Sequence, residues 1–254
     1  MNQIEYDQCL AEIFALGRFG IKLGLDVIDA ILEGLGRPEK TFSAVHVAGT
    51  NGKGSIASAL AAILHAAGYR VGLYTSPHLV RFNERIRVNG EQVSDAAVVE
   101  AYRAVKALAP AEREPTFFEY ATAMAFYAFS RAGVDWAVIE TGMGGRLDAT
   151  NILTPELCVI SNISLEHKAY LGNTIAQIAA EKGGIIKPHT PAVTGAHQKS
   201  AISVLEEIAD ENSAPLYRRG RDFRIRRKPG AQEDPGFTYF GLDHRWDGMR
   251  TSLR

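Results

Sequence analysis

Apolar residues recur at helical spacing over residues 4 to 35, interrupted by Gly17, Gly20 and Gly24, and predict two helices around a glycine-containing loop. From Phe42 the period changes. Ala44-Val45-His46-Val47-Ala48 is a short apolar run that stops at Gly49, and Ser55 to Ala67 then places Ile56, Leu60, Ile63 and Leu64 on one helical face. Gly68 fits the left-handed position beyond a helix end, and Tyr69 to Tyr74 resumes strand character. Strand, loop, helix and strand make a βαβ unit, which predicts parallel strands joined by a right-handed crossover.

Further along, Asn89-Gly90 reads as a hairpin turn, residues 95 to 108 and Phe118 to Ser130 as helices, and Trp136 to Glu140 and Leu157 to Ser161 as strands. The last two are nearly continuous apolar runs, as a parallel sheet covered on both faces requires. A helix at Thr174 to Lys182, a strand at Pro191 to Thr194 and a helix near Ala201 to Asp210 continue the alternation. The predicted fold class is α/β, a doubly wound and mostly parallel sheet. Arg218, Arg219, Arg221, Arg224, Arg226, Arg227 and Lys228 crowd one strand-like segment near the C-terminus. No aromatic residues interleave with them, so the run reads as a solvated strand face and no nucleic-acid partner is expected.

Composition narrows the field. The 254 residues, 46% of them hydrophobic, suffice for a sizeable core of a soluble globular protein. With 28 basic and 29 acidic residues the formal charge is -1, so an anionic ligand must be held by a local site and not by a global field. No apolar run reaches membrane-spanning length and Met1 to Asp7 carries no basic leader; no membrane partner and a cytoplasmic location are expected. Cys9 and Cys158, without metal-type spacing, read as buried reduced thiols.

The strongest chemical signal is Gly49-Thr50-Asn51-Gly52-Lys53-Gly54-Ser55, between a strand and a helix. Glycines let backbone N–H groups face phosphate oxygens, the helix N-terminus adds a positive dipole end, and Lys53 adds a mobile cation, which points to ATP. The match to G-x-x-x-x-G-K-[ST] is imperfect: Val47 stands at the first glycine, and Ser55 is displaced by one from the usual hydroxyl position. Ser76 and Glu140 both end predicted parallel strands, where ligands collect in open α/β sheets. By themselves they could equally be a turn hydroxyl and a capping or salt-bridging carboxylate.

Together with Thr75-Ser76-Pro77-His78-Leu79, Arg81-Phe82-Asn83-Glu84-Arg85-Ile86 and the run Glu140 to Asn151, the phosphate loop resembles folylpolyglutamate and dihydrofolate synthases of the Mur ligase family, over Lys22 to His197. The resemblance implies a Mur-ligase central-domain fold over residues 1–254, with residues 1–40 packing on it as helices. It also implies that the sequence ends, at Thr251-Ser252-Leu253-Arg254, where a linker to a second, glutamate-ligating domain would begin. The implied activity is ATP-dependent ligation of L-glutamate to dihydropteroate or a folate through an acyl phosphate, by a monomer using ATP and Mg2+. Ser76, Glu140, His167 and Lys182, the last as a carbamate, are implied metal ligands; Lys53, Glu140, His167 and Lys182 would serve catalysis.

For Lys182, in Glu181-Lys182-Gly183-Gly184-Ile185, the alternative is an exposed lysine paired with a helix acid; a lone His167 could be structural. Glu166 stands where the family usually has aspartate, and Gly183 where it usually has alanine. Pteroate contacts are implied for Lys22, Leu23 and Gly24, for Thr116, Phe117, Phe118 and Glu119, and for Leu147, Asp148 and Ala149. Aromatic faces with a few polar groups suit a flat heteroaromatic ring, although the phenylalanines could also be ordinary core.

Overall fold

The structure is a computed structural model, described here over residues 3–17, 24–110, 113–227 and 236–250. Lys22 and Leu23 lie outside the described residues. The chain begins with helices α1 (Gln3–Leu16) and α2 (Asp26–Gly34). The expected βαβ unit follows as β1 (Ser43–Ala48), α3 (Lys53–Ala66) and β2 (Val71–Tyr74). The Asn89-Gly90 turn joins β3 (Ile86–Val88) to a two-residue β4 (Glu91–Gln92), and these two run antiparallel to each other. Helices α4 (Asp95–Lys106) and α5 (Phe117–Ala132) come next. Each starts on a hydroxyl cap, with Ser94 Oγ accepting from Ala97 N and Thr116 Oγ1 from Glu119 N. Then follow β5 (Trp136–Glu140), β6 (Leu157–Ile160), a one-turn α6 (Lys168–Leu171), α7 (Ile175–Gly183), β7 (Ala192–Thr194), α8 (Lys199–Glu211) and β8 (Leu216–Arg218).

The main sheet has the order β4-β3-β2-β5-β1-β6-β7-β8. Strands β2 through β8 in that order pair in parallel, and the β3–β4 hairpin adds an antiparallel edge. The loop-bearing strand β1 therefore sits centrally, with β5 and β6 on either side. Its side chains alternate between faces: Val45 and Val47 pack with Ala57, Ile56 and Leu60 of α3, whereas Ala44 joins the cluster on the opposite face built from α1, α2, α4 and α5. Phe126 and Phe129 of α5 are fully buried there, each worth about 1.5–3 kcal/mol of transfer free energy. A further cluster binds Ile160 and Cys158 of β6 to Ile178, Ile185 and Leu205. Both cysteines are buried and free. No helix among the described residues is long and apolar enough to cross a membrane.

A second, three-stranded sheet was not anticipated. Strands β9 (Phe223–Arg227), β10 (Phe237–Gly241) and β11 (His244–Met249) pair antiparallel in the order β11-β10-β9. Leu242 and Asp243, both at positive φ, close the tight turn between the last two. This corrects the reading of the basic run as free of aromatic company. Arg224 and Arg245 both lie 5.3 Å from the Phe240 ring, brought there across the strands. The two guanidiniums are thus spent in part on an internal cation–π sandwich.

Candidate functional site

Every element of the expected phosphate loop lies at the C-terminal edge of β1. Gly49 has φ 141°, and a Cβ there would stand 1.8 Å from Ser161 Oγ, so no side chain fits. The loop is tied to the segment leaving β6: Thr50 N donates to Asn162 O (2.9 Å), Asn51 N to Asn162 Oδ1 (3.0 Å), and Ser161 Oγ to Asn51 O (2.8 Å). Ser164 N in turn donates to Thr50 Oγ1 (3.0 Å). Gly52 then caps α3, whose first residues are Lys53, Gly54 and Ser55. Asn51 and Gly52 are exposed, so the helix N-terminus opens to solvent as a ready anion site. The Lys53 amine bends back over the loop to Gly49 O at 3.1 Å.

Glu140 ends β5 directly beside this loop. It is buried, and a Cβ on Gly54 would come within 3.4 Å of its Oε2, so the helix start and the carboxylate are in close approach. Ser76 N donates to the same Oε2 at 3.1 Å. Burial pushes the Glu140 carboxyl up, against the pull of that bond and of Lys53. A buried carboxylate with one backbone donor and, among the described residues, no ion-paired side chain suits a hard divalent cation. Among the described residues no group of three or more His, Cys, Asp or Glu has a metal-binding arrangement. A cation at Glu140 and Ser76 would therefore take much of its shell from water and phosphate, as magnesium does.

Lys182 of α7 is not the exposed lysine of the alternative reading, being 1% exposed. Its amine donates to Gly49 O at 2.9 Å and pairs with Glu166 Oε1 at 2.5 Å. Desolvation pushes its pKa down, while Glu166 opposes the shift. The Gly49 carbonyl thus accepts from two lysines. Glu166 is engaged with Lys182, and its neighbour His167 opens α6 in the left-handed region at φ 42°.

Next to Ser76 lies a cavity of about 440 Å³. Gly24, Thr116, Phe117, Phe118, Glu119, Leu147, Asp148 and Ala149 all line it, as does Ser76 itself. The structure qualifies what their polar groups can do. Thr116 and Glu119 form the capping box of α5, and Glu119 also accepts from Arg113 at 2.9 Å. Asp148, buried and pushed up by desolvation, has Oδ1 filled by Thr150 N (3.0 Å) and Thr150 Oγ1 (2.6 Å) and Oδ2 by Met143 N (2.9 Å). Because Thr150 gives its proton to Asp148, the fully buried His46 must donate from Nε2 to Thr150 Oγ1 (2.8 Å). Burial drives the His46 pKa to about 3, so the ring stays neutral. Asp148 is therefore first a brace for the Gly142–Met143 loop. At Gly142 a Cβ would meet Phe118 at 2.5 Å, which sets the wall of the cavity.

Sequence reading gave no site role to five of the lining residues, Gly17, Pro77, Arg85, Gly142 and Met143. Arg85 was quoted in a motif but given no role, because a charged residue in a polar run reads as surface. It is 7% exposed. The adjacent segment is fixed by Glu84, whose carboxylate accepts from the N–H groups of Leu79, Val80 and Arg81 and is held down at about 2 by those bonds.

Comparison with known proteins agrees with this geometry. A dihydrofolate synthase/folylpolyglutamate synthase of Bacillus subtilis is 41% identical over 242 residues, covering 93% of this chain and 56% of the relative. The crystal structure of a folylpolyglutamate synthase from Thermotoga maritima superposes with TM-score 0.91 at 37% identity, covering all of this chain and 59% of that one. Escherichia coli FolC, solved in complex with DHPP and ADP, superposes with TM-score 0.89 at 32% identity, covering 96% of this chain and 58% of its own. The chain thus spans a little under three fifths of these relatives. Residues 47–224, from the end of β1 to the start of β9, match the Mur ligase middle domain, and the chain belongs to the Mur ligase family.

Proposed function

We propose that this chain carries the ATP site and the acid-substrate site of a ligase that joins L-glutamate to dihydropteroate or to a folylpolyglutamate. The observation that carries the reading is the junction at Ser76. Its backbone N–H holds Glu140 beside the phosphate loop, and the same residue lines the aromatic cavity. A nucleotide on the loop and a flat acid in the cavity would meet there. The relatives' names, and the ligands in the FolC complex, support both halves.

In this reading the N–H groups of Gly49 to Ser55 and the α3 N-terminus bind the phosphates, and Lys53 swings from Gly49 O to the transferred group. Phe117 and Phe118 hold the pteridine ring, and Gly24, Leu147 and Ala149 close the cavity around it. The substrate carboxylate takes the γ-phosphoryl group, and the resulting acyl phosphate is attacked by the amine of glutamate. Acceleration comes from alignment and charge stabilisation, with no protein nucleophile. Ser76 and Glu140 would hold magnesium, with His167 and a carbamylated Lys182 as further ligands. Bound there, the ion supplies charge neutralisation on the phosphates. The depressed pKa of Lys182 favours the neutral amine that CO₂ requires.

The test is transfer of labelled glutamate onto dihydropteroate and onto tetrahydrofolate by the 254-residue chain, with ATP, magnesium and bicarbonate, beside Lys53→Ala. Product that depends on Lys53 supports the reading. Ligation undiminished in a folded Lys53→Ala variant would refute it. A chain that binds ATP and dihydropteroate yet forms no product would place the glutamate step outside these residues.

A further inference from the structure

Arg85 is the unexplained charge of the cavity. It follows the Phe82–Asn83–Glu84 turn and hydrogen-bonds through its backbone to Thr75 N (3.0 Å), which anchors it one residue from Ser76. Its Nε donates to His78 Nδ1 at 2.7 Å, and its guanidinium lies 5.0 Å from the Phe117 ring centre. The Tyr74 hydroxyl is a further hydrogen-bond partner of the guanidinium; these contacts fix its plane and leave the rest of its Nη donors for a ligand. Other arginines at this end of the sheet are paired with an acid, as Arg113 is with Glu119 and Arg146 with Glu181. Arg85, 7% exposed, makes no ion pair among the described residues. A buried guanidinium cannot discard its proton, and leaving it without a counter-anion is destabilising. A fold retains such a group where a ligand brings the anion.

We infer that Arg85 is the carboxylate receptor of the cavity: the Nη donors that Tyr74 leaves take the substrate's reacting acid in a planar, charge-assisted pair and present it at Ser76 and Glu140. The inference rests on the proposed acid substrate and adds what selects it. Position supports the assignment. Arg85 lines the same cavity as Ser76 and Phe117 and lies near enough to Glu140 to feel its charge, so an acid bound to it stands between the aromatic wall and the phosphate loop. The fork geometry matches a carboxylate and not a neutral ester. His78, held neutral by burial and by the neighbouring guanidinium, is the acceptor that orients the fork.

The assignment is tested by comparing the affinities of dihydropteroate and its methyl ester for the 254-residue chain, for Arg85→Met and for Arg85→Lys, by fluorescence titration. The wild-type chain is expected to prefer the acid by about ten- to a hundredfold, the worth of a charged hydrogen-bonded pair. In Arg85→Met that preference should fall to near unity while ester affinity holds within about twofold. Arg85→Lys, which keeps the charge but loses the fork, should retain only part of the preference, and it serves if the methionine variant does not fold. A purely structural arginine would weaken acid and ester in parallel, and that result overturns the inference. Equal binding of acid and ester by the wild type also overturns it but leaves the pteroate reading standing. Binding of neither would bring down both.

Discussion

Replacing Glu166 by Gln removes the only anion that, among the described residues, pairs with a lysine that is 1% exposed. The charge pair is close, with 2.5 Å between Nζ and Oε1, and Glu166 is itself only 19% exposed. At an effective dielectric near 20, opposite charges about 4 Å apart attract by about 4 kcal/mol. Breaking a buried pair from one side typically costs about 3–5 kcal/mol, because a charge is left uncompensated. Partial solvent access at Glu166 places the expected loss near 3 kcal/mol, or roughly 6–12 °C in Tm for a chain of this size. The Lys182→Met/Glu166→Gln double variant removes both charges and should recover most of that loss.

The pH dependence has a definite sign. Burial depresses the folded-state pKa of Lys182, so between that value and its unfolded value of about 10.4 the unfolded chain binds the extra proton, and stability rises with pH. Without Glu166 the folded pKa drops further and the window widens downward. The deficit of Glu166→Gln should therefore be largest near neutrality and shrink as pH approaches 10. Thermal and urea denaturation at pH 7 and 9.5, in CO₂-depleted buffer with EDTA, measure this. A deficit below about 1 kcal/mol at pH 7, or a double variant no more stable than the single one, would show that the buried lysine does not depend on Glu166.

Thr116→Ala removes the hydroxyl that caps α5 and should cost about 1 kcal/mol in urea denaturation; an unchanged midpoint would mean the Glu119 half of the box suffices. Gly142→Ala places a methyl 2.5 Å from the Phe118 ring, so this wall of the cavity must shift. Dihydropteroate affinity should fall at least tenfold while nucleotide affinity stays within about twofold, and parallel losses would instead indicate a collapse of the whole edge.

Local patterns carried far in this chain. A strand, a glycine loop and a helix in succession announce the loop's place in the chain, and Glu140 was placed because a parallel strand ends where it stands. What stayed hidden depends on which distant segments touch. The pairing of Lys182 with Glu166 arises because the segment after β6 folds against α7, so neither residue's neighbours in sequence announce it. Arg85 sits in a polar run, and only burial without an acid marks it out. Strands β9 to β11 were invisible as a sheet because the first is dominated by arginines, and its aromatic partner Phe240 arrives from another strand. The one-turn α6 is too short to leave a period. Asp148 lines the cavity, and its saturation by Thr150 and Met143 needed coordinates.

The central position of β1 bears on how the chain folds. The loop's own tethers reach far ahead: Asn51 is held by Asn162, 111 residues on, and Thr50 by Ser164, 114 residues on. Loop-closure entropy for such spans must be met before any of these contacts rewards it, and folds rich in non-local pairing assemble slowly. During synthesis the seven residues from Gly49 to Ser55 therefore emerge long before the segment that shapes them, and nucleotide cannot find a formed cradle until β6 has docked. If the proposed nucleotide site is right, affinity for ATP should lag behind helix formation in refolding, making this loop one of the last features of the sheet to mature.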